Sequence, residues 1–150
     1  MSLLKIMQSR ASLLEQMLRI SEKQWNTVQG GDVTLLLEIL ARKQRAFEMF
    51  EEQERQLAPY RNIEPQDRKW DCDQDRLDCD AANQQCKKLL EDILALDTQS
   101  EAELARQKDE AQRQLQIIDT SGKAATAYAR QNIAPVSPKK LSPERFDFTN

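Results

Sequence analysis

The chain has 150 residues, a formal net charge of -3, no histidine, 31% charged and 5% aromatic side chains, and only three glycines and five prolines. So few turn formers and so many charged residues point to long helices and away from a sandwich or an α/β sheet. The acidic balance gives no positive field to draw in nucleic acid, and no apolar run is long enough to span a bilayer.

The first segment carries Leu4, Met7, Ala11, Leu14, Leu18, Trp25 and Val28 at alternating steps of three and four, with Ser21 as the one polar member. Leu3, Ile6, Leu13, Met17 and Ile20 widen the stripe, so this helix, expected over residues 2–29, needs more than one neighbour. Gly30-Gly31 ends it and Asp32 is a good N-cap for the next.

A second helix over 32–58 repeats the pattern with Val33, Leu36, Leu40, Phe47, Phe50 and Leu57, and carries Leu37, Ile39 and Ala46 beside them. The short connection forces an antiparallel hairpin. Pro59, Tyr60, Asn62 and Pro65 mark its end.

Nothing breaks the helical pattern over 65–119, which predicts a third helix of about 55 residues, twice the length of either partner. Its front half, with Cys79, Cys86, Leu89, Leu90, Ile93 and Leu94, completes a bundle with the hairpin. Cys72, Cys79 and Cys86 recur every seven residues and are read as small apolar members of that seam, since consecutive ones stand about 10 Å apart, too far to share a metal.

Its back half keeps a thin apolar stripe of Leu104, Ala111, Leu115 and Ile118, interrupted by Asp97, Ser100 and Gln107. Either the chain bends at Asp97-Thr98-Gln99-Ser100 and folds back, or the stripe is offered to a partner. After Gly122 a short helix is expected over 122–131, and residues 132–150 form a proline-rich tail. In that tail Leu141, Phe146 and Phe148 stand out as a candidate peptide motif.

The expected fold class is therefore all-α: an antiparallel helical hairpin packed on a long third helix, an elongated, coiled-coil-like bundle of three to four helices forming one domain over 1–131. Catalytic constellations are missing. Absence of histidine removes the commonest general base, and no glycine loop cradles a phosphate. Asp71, Asp73 and Asp75 mimic the opening of a calcium loop, but Arg76 replaces the glycine of its turn and Ala82 the closing glutamate. The expectation is a protein that is not an enzyme, with no cofactor or metal, placed in the cytoplasm because its N-terminal stretch lacks the apolar core of a signal peptide.

The order of features resembles the FlgN-type flagellar export chaperones. The resemblance rests on Trp25 to Leu40, WNTVQGGDVTLLLEIL, on Arg42-Lys43-Gln44 followed by Phe47, on the run from Asn83 through Leu89-Leu90, and on Ala127-Tyr128-Ala129-Arg130-Gln131, where the family usually has glycine at position 129. It implies a cytoplasmic escort for flagellar hook-associated (hook-filament junction) proteins, with Leu104, Ala111, Leu115, Ile117 and Ile118 facing the client and Tyr128 touching the export gate. The rival expectation is a structural coiled-coil protein that uses the same stripe to self-associate, as in a homodimer, or to join a larger scaffold.

Overall fold

The computed structural model describes residues 2–132 of the chain. Three α-helices and one 3-10 turn follow in order: α1 (Leu3–Gly30), α2 (Val33–Arg61), the turn Pro65–Asp67, and α3 (Asp73–Asn132). The all-α expectation stands. The chain divides into two compact units, Met1–Glu103 and Leu104–Asn150.

In the first unit α1 is capped by Ser2, whose hydroxyl accepts from the Lys5 amide at 3.3 Å. It ends in a left-handed residue, Gly31 at φ 76, whose amide donates to Thr27 O at 3.0 Å. A side chain at that φ would meet its own backbone, so glycine is needed there. Asp32 then caps α2, its carboxylate accepting from the Leu35 amide at 3.0 Å. The tight turn sends α2 back along α1. Gln53 Nε2 donates to Ser9 Oγ at 3.1 Å near one end, and Lys43 Nζ donates to Gln24 Oε1 at 2.8 Å near the other.

Leu3, Ile6, Met7, Ala11, Leu13, Leu14 and Met17 of α1 are buried, which bears out the need for two neighbours. One is α2, through Ile39, Ala46 and Leu57; the other is the first part of α3, through Cys79, Ala82, Cys86, Leu89 and Ile93. Leu14 is fully enclosed at the centre.

Four local expectations are corrected. The inward seam of α2 is Leu36, Ile39, Lys43, Ala46, Phe50, Gln53 and Leu57, while Val33, Leu37, Leu40 and Phe47 face outward and are exposed. Both sets have the same three-four spacing, so periodicity alone does not choose between them. Helix α2 also runs through Pro59 to Arg61. Pro59 has no N–H to give the Arg55 carbonyl, so the helix forgoes one bond there, and Tyr60 is held beyond it by packing on the core.

Helix α3 starts at Asp73 rather than near Pro65, because the backbone turns extended at Arg68, after the 3-10 turn. Cys72 therefore falls before the helix and is exposed, whereas Cys79 and Cys86 lie in the buried seam. Finally α3 does not stop at Asp119 or restart at Gly122. It continues to Asn132, with Lys123 Nζ on Asp119 Oδ2 at 3.0 Å and Thr126 Oγ1 donating to Gly122 O at 2.9 Å across the glycine. A lone helical glycine costs about 1 kcal/mol, which the alanines that follow tolerate.

Candidate protein-binding surfaces

The described apolar residues of the second unit lie on one helix. At about 100° per residue, Leu104, Ala111, Leu115 and Ile118 fall within about 60° of one another on α3. Ile117 does not join them: the same geometry places it about 160° from Leu115, on the side that carries Tyr128. The five residues expected to form one client face thus divide into a four-residue stripe and an isolated isoleucine that shares its face with the tyrosine.

Leu104 is half-buried, and every apolar side chain from Ala111 to Ala129 is exposed, with Ile117 at 64% and Tyr128 at 70%. Neighbouring charges are matched along the helix itself. Arg113 pairs with Glu110 at 3.2 Å and Lys123 with Asp119 at 3.0 Å. Exposed pairs of this kind contribute about 0.3–0.5 kcal/mol each, so this stretch is held by helix propensity and local pairing rather than by a core. Asp97 and Ser100, where a bend was one alternative, lie inside the uninterrupted helix.

A second surface lies in the first unit and was not anticipated. Between α2 and α3 runs a groove of ≈ 420 Å³ lined chiefly by Met17, Leu40, Phe47, Phe50, Leu90 and Leu94. Beside it the outward stripe of α2 continues through Leu37 and Val33, exposed by 63% and 66%. The signal was present in the sequence: α2 has more bulky apolar residues than one helical face accommodates.

At one end of the groove the chemistry turns polar. Lys43 Nζ is paired with Asp97 Oδ1, and Ser21 Oγ donates to the same carboxylate oxygen at 3.0 Å. Lys43 also reaches Gln24, so its charge is met from both α1 and α3. Toward the other end of the bundle Arg10 stacks over the Phe50 ring at 4.3 Å and pairs with Glu54, which Arg61 Nη2 also contacts at 2.6 Å. Burial raises the Glu54 carboxyl, but the hydrogen bonds and charges of the two arginines outweigh it and hold the group below its ordinary value.

Among the described residues no group of three histidine, cysteine, aspartate or glutamate side chains is placed to hold a metal ion, and no helix is long and apolar enough to cross a membrane. Asp73 and Asp75 occupy the first turn of α3, where negative charge complements the helix dipole. Burial raises the Cys79 and Cys86 thiols, which keeps them protonated. Leu141, Phe146 and Phe148 lie outside the described residues. Comparison with protein-family models, with curated proteins and with solved structures returns no match.

Proposed function

We propose that the protein is an export chaperone of the FlgN type, acting in the cytoplasm without catalysis or a cofactor, that holds hook-filament junction proteins and hands them to the flagellar export gate. One observation carries the reading: the run of apolar side chains between Ala111 and Tyr128 is exposed on α3. Burying Leu104, Leu115 and Ile118 under an amphipathic client segment contributes roughly 1.5–3 kcal/mol per side chain before ordering costs. That is enough for capture and little enough for release.

In this mechanism the stripe Leu104, Ala111, Leu115 and Ile118 covers the client's aggregation-prone face and keeps it from polymerising early. Ile117 and Tyr128, on the other side of the same helix, stay free to meet the gate while the client is held, and the two contacts need not compete.

Co-purification with hook-filament junction proteins tests the proposal. A complex lost in Leu115→Asp plus Ile118→Asp, with helical circular dichroism unchanged, is the expected result. If no junction protein associates with the unaltered chain, the reading fails.

A further inference from the structure

We infer that residues 141–148 of this same chain dock in cis on the α3 stripe of Leu104, Ala111, Leu115 and Ile118, as a removable cover. Spacing carries the fit. Pro135, Pro138 and Pro143 cannot continue α3 and favour an extended backbone of about 3.1 Å per residue, about twice the helical rise. At that pitch Leu141 and Phe148 stand about 22 Å apart, while Ile118 and Leu104 stand about 21 Å apart on α3. Phe146 and Phe148, two residues apart, fall on one side of an extended chain.

The stretch between stripe and segment has the length to connect them. Asn132 lies about 21 Å along the helix from Ile118, and residues 133–141 reach about 28 Å, which leaves about 7 Å for the chain to reverse. Gly122, Ala125 and Ala129 prolong the line of the stripe toward Asn132, and a Cβ placed on Gly122 would meet nothing within 4 Å. A returning chain therefore passes over small side chains.

Charge favours this occupant over an arbitrary apolar partner. With Leu141 over Ile118 and Phe148 over Leu104, Lys140 comes level with Asp119, Arg145 with Glu110, and Asp147 within about 4 Å of Lys108 along the axis. Opposite signs meet at all three places in one antiparallel register. Lys123 and Arg113 each engage one oxygen, Asp119 Oδ2 and Glu110 Oε2, and a carboxylate has two. Exposed pairs of this kind fix direction more than strength. The strength comes from the tether, since a segment on so short a linker faces the stripe at roughly millimolar effective concentration. As a regulator of client capture the cover rests on the function proposed above; the docking itself does not.

Disulfide trapping in the full chain carrying Cys72→Ser tests the docking. Gln107→Cys and Arg106→Cys, each combined with Asp147→Cys, put the second thiol beside the stripe and on the far side of α3 at nearly the same height. An intramolecular disulfide forming at least about tenfold faster from position 107 than from 106 is the expected result. Phe146→Ser plus Phe148→Ser erases the difference. Equal rates, a difference that survives the serine changes, or a disulfide forming chiefly between chains would each overturn the inference. Junction-protein binding is a separate arm: the same serine changes tighten it, by about tenfold for a stripe covered nine-tenths of the time. Unchanged affinity removes the regulatory role, whereas no binding in either chain removes the client reading and leaves the docking to be decided by the trapping rates.

Discussion

Ser21 Oγ donates to Asp97 Oδ1 at 3.0 Å, joining α1 to α3 inside the bundle. Lys43 of α2 pairs with the same oxygen, so all three helices meet at one carboxylate. Ser21 is 0% exposed, and its hydroxyl has no water to fall back on. A layer of this kind contributes less to net stability than to alignment, because sliding any helix by one residue strands a buried polar group.

Asp97→Ala leaves the Ser21 hydroxyl and the Lys43 ammonium without their shared acceptor. A loss of about 2–3 kcal/mol in urea unfolding is expected, below the full cost of a broken buried pair because both charged groups keep some exposure. The quadruple change Ser21→Ala, Gln24→Leu, Lys43→Met and Asp97→Leu removes the layer altogether. It is expected to recover that loss while weakening the register, read as broadened amide resonances.

Ser100 behaves oppositely. Its side chain is 0% exposed and its hydroxyl has no hydrogen-bond partner among the described residues. Ser100→Ala relieves an unmet desolvation cost and raises the urea midpoint by the equivalent of about 1 kcal/mol.

Leu14 and Leu115 are both leucines on amphipathic helices with opposite structural roles. Leu14→Ala, at the enclosed centre, lowers unfolding free energy by about 2–5 kcal/mol. Leu115→Ala, on the exposed stripe, changes it by less than about 0.5 kcal/mol. Denaturant titration of the two variants measures the contrast.

Acid titration reads the Glu54 cluster. Its folded carboxyl titrates below the ordinary value of 4.5, so the unfolded chain takes up the proton first as pH falls. The stabilisation is complete above pH 4.5 and is lost progressively below it, through the lowered folded value. Glu54→Gln flattens that part of the stability profile, which a series of urea melts at stepped pH detects.

Thiol labelling separates the cysteines. Cys72 is exposed and reacts with an aromatic disulfide in the native protein. Burial shields Cys79 and Cys86 and raises their thiols, so they react only at the rate of unfolding. One rapid equivalent followed by two more in denaturant is the expected stoichiometry.

Much of the fold was legible because α1 has one continuous wide stripe and its turn has a residue pattern with a single good solution, Gly31 left-handed and Asp32 capping. The phase of α2 was not, since two stripes share one spacing and only the tertiary burial of Ile39 and Ala46 selects between them. Gly122 read as a stop because its propensity is poor, yet the Lys123 to Asp119 pair and Thr126 carry the helix over it. Ser21 and Asp97 were visible as polar interruptions of two separate stripes. That they answer each other follows only from the pairing of α1 with α3, which no local pattern encodes. For the same reason the residues of the back stripe could be named from sequence, while Ile117 required its position around the helix to be separated from them.

The Gly31 turn also sets the order of assembly. Only a few residues of chain entropy are surrendered in bringing α1 and α2 together, whereas α3 meets α1 across separations as large as that between Met7 and Cys86. Loop-closure entropy thus favours closing the hairpin ahead of the contacts with α3. A β-branched residue in place of Gly31 would delay that first event as well as strain its product, so this one position governs how long the apolar faces of a newly made chain stay open to aggregation.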